Sequence, residues 1–568
     1  MKNDPKPTGL RYWMQRVLKE CDNVAASFSA DPVHDLRVSL RRCRSMADGM
    51  MALDPVREWK EMKKAGKPLF RALGELRDVQ IMMEWIDKLH VKQSLIAALP
   101  DVPEDPAVER SDTTEPAPAA AGTLTADQHD PASRALLHIL AARETDLKHK
   151  ARAALDEFDR KQWRQWSKTL PHRALRIRPG SAIFKHLALE RWMAARDLQT
   201  TALRNRSQVA LHTLRIGIKR FRYIVENFLP EEHKAWSNDL KHMQDLLGDI
   251  HDLDVLWATA LSCRVFPDAA SRKAWHARIL EERNTRIAEY REKTVGPESL
   301  WNVWRAGLPQ GKQVEQIATR RMKLWAKALD PDFAHSERVA RFSVQLYDGL
   351  VATGAFKAPK ATAPELRNGS GKDARASLYA AGLLHDVGKS QGNKGHHKES
   401  LSMIRKHGTP LGWKAENMAR AAIIARFHCG ALPTRSHKNL QDLLADDQKL
   451  VIRMAAILRL ANALDRAHDG HIRGVKIEKP GGESNHQARK NGFAGKPPAL
   501  AKNEALVIDA EGYAEGSPTA QTVAAERYLL ETVLRRPVVV RRAALNPAFG
   551  PRLSASGKPA GQRPGSRG

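Results

Sequence analysis

A chain of 568 residues is too long for one hydrophobic core, so two or three domains are expected. Its 93 Lys and Arg against 65 Asp and Glu give a net charge of +28, which points to a polyanionic partner held in a salt-sensitive way. The scattered Cys21, Cys43, Cys263 and Cys429 form no CxxC, which argues against a disulfide framework or a thiolate zinc site and fits a reducing compartment.

The N-terminal stretch MKNDPKPTGLRYWM has no apolar signal region, and no run of about 18 apolar residues follows anywhere. Helical periodicity runs through residues 10–90. Residues 100–132 are rich in Pro, Ala, Thr and acid without periodicity, and read as a disordered linker or insertion. Helical patterns resume near 133 and continue to about 305. A second helical block covers about 315–470, broken by a loop near 354–373. From about 472, HIRGVKIEK, ALVIDAEGY and RPVVVRRA read as short strands, with AERYLLETVLRR a helix between the last two. Residues 546–568 read as a disordered basic tail.

The first block holds an internal repeat. VHDLRVSLRRCRS at 33–45 matches LHTLRIGIKRFRY at 211–223, and LGELRDVQIM at 73–82 resembles LGDIHDLDVL at 247–256. On a helix, His34, Arg37, Arg41 and Arg44 fall within roughly 80° of arc. His212, Arg215, Lys219 and Arg222 repeat that spacing, with Arg42 and Arg220 flanking the two stripes. Leu36, Leu40 and Cys43, and likewise Leu214, Ile218 and Phe221, lie on the adjoining apolar arc. Like charges on one face repel, so each stripe needs a polyanion or carboxylates opposite; Asp78, Asp252 and Asp254 are the candidates. The bland alternative is a solvated basic face on each helix, but repetition at identical spacing weakens it. A duplex reader would show a recognition helix, and a single-strand reader would interleave aromatics. This stripe of Arg, Lys and His suits phosphate alone, so nucleic acid is the least favoured polyanion.

These paired motifs resemble the CHAD domain, the conserved histidine α-helical domain. The resemblance implies two helical bundles related by pseudo-twofold symmetry, with basic residues around a channel that binds inorganic polyphosphate. It carries His34, Arg37, Arg41, Arg44, His212, Arg215, Lys219 and Arg222 as binding residues. The linker at 100–132 is not part of the pattern.

In the second block, His335 opens a helix and His385-Asp386 follows 50 residues on in LLHDVGK. Then come GHHKES with His397, ARFHCG with His428, and ILRLANALDRAH. Imidazoles and a carboxylate from separate helices are raw material for a divalent metal that polarises a phosphoryl oxygen. Lys389, one turn after Asp386, is placed to hold a phosphate. A lone His-Asp pair carries little information; the order and spacing raise the signal.

The block resembles the HD superfamily of metal-dependent phosphohydrolases. More narrowly, over about 320–540, it is similar to the C-terminal helical domain of the exopolyphosphatase/guanosine pentaphosphate phosphohydrolase family. The resemblance implies a divalent ion (Mn, Mg or Fe) on His335, His385, Asp386, His397 and His428, with Asp386 and Lys389 in the catalytic roles. Where HD proteins place a last aspartate ligand, this chain has Leu460-Ala461-Asn462, which keeps an oxygen but loses the charge. Asp465, one turn later, is the substitute.

The expectation is therefore a mainly α protein. A duplicated CHAD helical bundle (1–310) is followed by an all-α HD domain (318–475), a small α/β tail (476–545) and the basic segment 546–568. The function expected is polyphosphate binding with hydrolysis of polyphosphate or a guanosine polyphosphate nucleotide. The competing expectation is a non-enzymatic, granule-associated binder whose HD domain acts as sensor or scaffold. Either way the chain is expected in the cytoplasm, with no membrane partner.

Overall fold

The computed structural model describes residues 9–97, 129–205, 207–356, 370–478 and 504–543. Most of the stretch read as a linker, part of the loop near 354–373 and the 546–568 tail lie outside them. The chain divides into two compact units, Met1–Ala328 with Pro410–Gly412, and Leu329–Thr409 with Trp413–Gly568. The described residues are mainly helical with one small sheet, as the periodicity indicated.

The first unit opens with α1 (Leu10–Ala26), α2 (Ala30–Met51), α3 (Arg57–Ala65) and α4 (Lys67–Ala97). It continues with α5 (Pro131–Asp156), α6 (Arg160–Ala174), α7 (Ala182–Asn205) and α8 (Gln208–Phe228). Then come α9 (Pro230–Ser262), α10 (Ala269–Thr294), α11 (Leu300–Ala306) and α12 (Lys312–Leu329). Asp130, Asp159, Ser207 and Asp268 cap α5, α6, α8 and α10 by accepting from a backbone N–H three residues on; each such cap contributes about 1 kcal/mol.

The duplicated helices α2 and α8 pack on each other. Their apolar arcs enter one core: Leu36, Leu40 and Cys43 are fully buried with Leu214, Ile218 and Phe221. A second cluster joins Val79, Trp85 and Ile86 of α4 to Leu136 of α5, Leu253 and Leu256 of α9, and Trp275 of α10. Burying the apolar arcs fixes the rotation of α2 and α8, and so points both cationic stripes toward α4 and α9.

The second unit contains α13 (Phe333–Ala352), α14 (Ser370–Leu384), a 3₁₀ turn (Val387–Gln391), α15 (His396–His407), α16 (Ala415–Arg426) and α17 (Lys438–Gln441). Next are α18 (Ala445–Leu464), β1 (Gly474–Ile477), β2 (Leu506–Glu511), α19 (Pro518–Leu534) and β3 (Val538–Arg542). The sheet order is β1-β2-β3, with β1 antiparallel to β2 and β3 parallel to it. A parallel neighbour needs a crossover, and α19 supplies it. Helices α13, α14, α16 and α18 share a core that includes Phe342, Leu384, Ile424 and Met454.

Candidate functional site

In the first unit, cations of both repeats meet in one cluster. Arg37 and Arg41 of α2 and Arg215 of α8 are the like charges that bear on Lys219, also on α8. Burial, and then those three arginines, push the Lys219 ammonium down to about 7. Carboxylates approach from α4 and α9. Asp78 lies 3.8 Å from Arg37, and Asp252 is raised to about 6 by burial against the pull of Arg215. The Nε atoms of Arg41 and Arg215 are buried without a hydrogen-bond partner. Unsatisfied donors contributed by one arginine of each repeat suit an anion with oxygens to spare.

The repeat also explains two glycines. A Cβ at Gly74 would touch the Arg37 guanidinium at 3.8 Å, and one at Gly248 would reach Arg215 Nε at 4.0 Å. Each arginine thus lies across a bare stretch of the facing helix.

The other residues of the two stripes flank this cluster or take separate partners. His34 is exposed at the start of the stripe on α2, and Arg220 is exposed on α8. Arg44 donates to the Lys63 carbonyl at 3.0 Å and lies over Phe70. Arg42 pairs with Glu226 and stacks over Trp13, and Arg222 lies 3.7 Å from the same Glu226. His212 sits 3.2 Å, Nδ1 to Nδ1, from His251, whose pKa falls to about 4 through burial and the nearby Arg215. The first repeat places Arg77 near His34 instead, so the two halves differ where the paired motifs diverge.

The second unit builds its site from four histidines around Asp386. His335 stands in the first turn of α13, His385 follows the last residue of α14, His396 opens α15, and His428 lies just beyond α16. Each has its Nδ1 engaged: with Asp465 Oδ2 at 2.7 Å, the Gly382 carbonyl at 2.8 Å, the Asn393 carbonyl at 2.9 Å and the Ala425 carbonyl at 2.8 Å, respectively. An oxygen that accepts from Nδ1–H fixes the proton on that nitrogen and leaves Nε2 to coordinate.

The four Nε2 atoms gather on one carboxylate. Asp386 Oδ2 lies 3.3 Å from His385 Nε2 and 4.0 Å from His335 Nε2; Oδ1 lies 3.3 Å from His396 Nε2 and 3.6 Å from His428 Nε2. Burial opposes the charge on Asp386, yet His385, His396 and His428 hold its carboxyl far below the usual range. The neighbouring Asp386 carboxylate, and then Cys429, raise His396 to about 10. Burial keeps His428 and His335 low. His385 Nε2 and Asp386 Oδ1 are buried with no hydrogen-bond partner, and His335, His385 and Asp386 offer converging ligand atoms. This donor set fits a borderline divalent cation.

His335, Asp386, His396 and His428 face an open pocket of about 440 Å³, lined also by Lys389, Asn393, Cys429, Asn462, Arg466 and His468, while His385 is buried behind it. Lys389 Nζ donates to Asp386 Oδ2 at 2.5 Å. Asn462 Oδ1 lies 2.9 Å from His335 Nε2, beside the position a last ligand would take.

Two of the expected ligands lie elsewhere. His396, not His397, is the member of GHHKES that reaches Asp386; neighbours on a helix point about 100° apart, and His397 turns toward Gly430 instead. Asp465 is not in the pocket lining, because α18 ends at Leu464 and the carboxylate pairs with His335 Nδ1 and Arg338. Four pocket residues, Asn393, Cys429, Arg466 and His468, escaped the reading. His468, at φ 58°, stacks on the His335 ring at 3.8 Å and hydrogen-bonds to Asp332 at 2.6 Å. Cys429 was visible as the neighbour of His428, but a single thiol carries no spacing signal.

A helical unit with a duplicated cationic cluster and a helical unit with a histidine-aspartate metal-ligand pocket are the two classes defined so far. Residues 10–261 match the family model of the CHAD domain, and residues 317–492 match that of the Ppx/GppA phosphatase, domain III. The two matches fall on the segments whose motifs carried the resemblances. No curated protein matches the chain. Among the described residues no helix is long and apolar enough to cross a membrane.

Proposed function

We propose that this protein binds inorganic polyphosphate through its first unit and hydrolyses a phosphoanhydride at the pocket of its second. The observation that carries the binding is the meeting of Arg37, Arg41, Arg215 and Lys219 from two repeats; the linear repeat of a phosphate polymer satisfies such a row without any base to read. In the pocket, His335, His385 and Asp386 would hold a divalent ion, which when bound polarises a phosphoryl oxygen and supplies a nucleophilic water. Lys389 and Arg466 line the same pocket and would hold the phosphate that departs. Polyphosphate is the first substrate proposed and a guanosine polyphosphate nucleotide the second.

The test is phosphate release from long-chain polyphosphate by the full chain, with Mn²⁺ and with chelator, beside His385→Ala/Asp386→Ala. Metal-dependent release that the double variant loses supports hydrolysis. Tight, salt-sensitive binding without release supports the second reading, a polyphosphate binder whose altered pocket senses or scaffolds. Asn462 favours that reading, because an amide in place of a carboxylate lowers metal affinity and water activation.

A further inference from the structure

The pocket holds a second group of converging donors beyond His335 and His385. His396 Nε2 and His428 Nε2 are 3.0 Å apart, and Cys429 Sγ lies 3.8 Å from His396 Nε2. The ligand atoms of His396, His428 and Cys429 all fall within 4.8 Å of one another. Asp386 turns Oδ1 to this group, at 3.3 Å and 3.6 Å, and Oδ2 to the first. Adjacent residues both reach the group because α16 ends at Arg426 and the chain turns at Gly430, φ 73°.

Four of these separations approximate edges of a tetrahedron. With metal–nitrogen near 2.05 Å and metal–sulfur near 2.3 Å, tetrahedral geometry requires edges of about 3.3 Å between nitrogens and about 3.6 Å from nitrogen to sulfur. The nitrogen–nitrogen separation of 3.0 Å and the nitrogen–sulfur separation of 3.8 Å fall close to those values, and Asp386 Oδ1 stands 3.3 and 3.6 Å from the two nitrogens. Both imidazoles spend Nδ1 on a backbone carbonyl, leaving Nε2 to the group.

We infer that His396, His428, Cys429 and Asp386 Oδ1 form a second metal subsite of thiolate character, selective for Zn²⁺ or Co²⁺ over Mg²⁺ and Mn²⁺. A thiolate with two imidazoles is a softer set than the imidazoles, carboxylate and amide of the first group, and hard cations bind sulfur poorly. Missing CxxC spacing argues against an all-thiolate site and says nothing of one thiolate among imidazoles. The inference rests on the pocket being a metal centre and is independent of hydrolysis.

The test is Co²⁺ titration of the chelator-stripped full chain, read by the near-ultraviolet sulfur-to-cobalt charge-transfer band. The band is expected in the wild type and absent in C429S. Zn²⁺ affinity is expected to fall in C429S by at least about tenfold, since loss of a ligand exceeds loss of a ligand's outer partner. As a check needing no variant, Zn²⁺ should slow alkylation of Cys429 by about tenfold, by the same reasoning. The half-exposed Cys263 should react unchanged under peptide mapping. Cobalt bound without the band, a band that survives C429S, or unprotected Cys429 overturns the thiolate subsite and leaves the metal centre standing. No bound cobalt overturns both.

Discussion

Asp465 Oδ2 lies 2.7 Å from His335 Nδ1 and also takes Arg338 Nε at 2.9 Å, so one carboxylate fixes the tautomer of a pocket histidine from behind. Carboxylates in this position raise the basicity of a ligating imidazole. Asp465→Asn keeps the size and loses the charge. Metal affinity should fall roughly 10–100-fold, measured by titration of the stripped protein. Unchanged affinity would mean that Asp465 only supports the fold.

Asn462→Asp is expected to work in the opposite direction. It sets a formal charge 2.9 Å from His335 Nε2, on the pocket side. A unit charge about 4 Å from a divalent ion is worth several kcal/mol at intermediate dielectric, so metal affinity should rise by on the order of tenfold or more. If phosphate release appears or rises in parallel, the natural asparagine is what restrains the chemistry. Tighter metal without added release would place the limit elsewhere.

Much of this arrangement was legible before the structure. The repeat, the helical stripes and the order His, His-Asp, His, His all came from residue type and spacing, because a 3.6-residue period converts spacing into a face. What escaped depended on where helices stop. The choice of His396 over His397 turns on the first turn of α15, and the withdrawal of Asp465 on the end of α18 at Leu464. His468 reaches the pocket only through a left-handed φ of 58°, which no periodicity anticipates for histidine. In the first unit the stripe was right in outline, but packing selected four of its cations for the cluster and gave Arg42, Arg44 and Arg222 other partners.

Lys219 predicts a pH dependence with a definite sign. Burial and the neighbouring arginines push its pKa down to about 7, against 10.5 for a free lysine. Between those limits the unfolded chain holds a proton that the folded chain has shed, so this residue's contribution to stability rises with pH over that window. A bound polyanion restores the proton. Affinity for polyphosphate should therefore fall as pH rises above about 7, by up to about tenfold per unit. Asp252 and His251 share the cluster, so the comparison is with Lys219→Arg, which keeps the charge and should lose the dependence above about 7. Calorimetry in buffers of different ionisation enthalpy measures the proton directly. Parallel curves for the two proteins would refute the linkage.

Gly388 should tolerate no side chain. A Cβ there would collide with the His396 carbonyl oxygen and sit 2.6 Å from Ser400 N. Ser400 also ties the turn together, accepting from Gly388 N at 2.9 Å and donating to the His385 carbonyl at 2.6 Å. Gly388→Ala should cost about 1–3 kcal/mol as overpacking, measured by denaturant unfolding, and should weaken metal binding by shifting His385 and His396 apart. Loss of stability with metal affinity intact would separate the turn from the pocket.

The cations that face one another across α2 and α8 have one more consequence. Without a counter-ion the bundle holds Arg37, Arg41, Arg215 and Lys219 together against their own repulsion, and an anion that relieves this binds the folded chain more tightly than the unfolded one. By mass action its stability then grows with the logarithm of free ligand, about 2.7 kcal/mol at a hundredfold excess over Kd. On the proposed function, the melting temperature of the first unit would gauge how much phosphate polymer surrounds it. A cell that exhausts its polymer would leave this protein easier to unfold, and so easier to degrade.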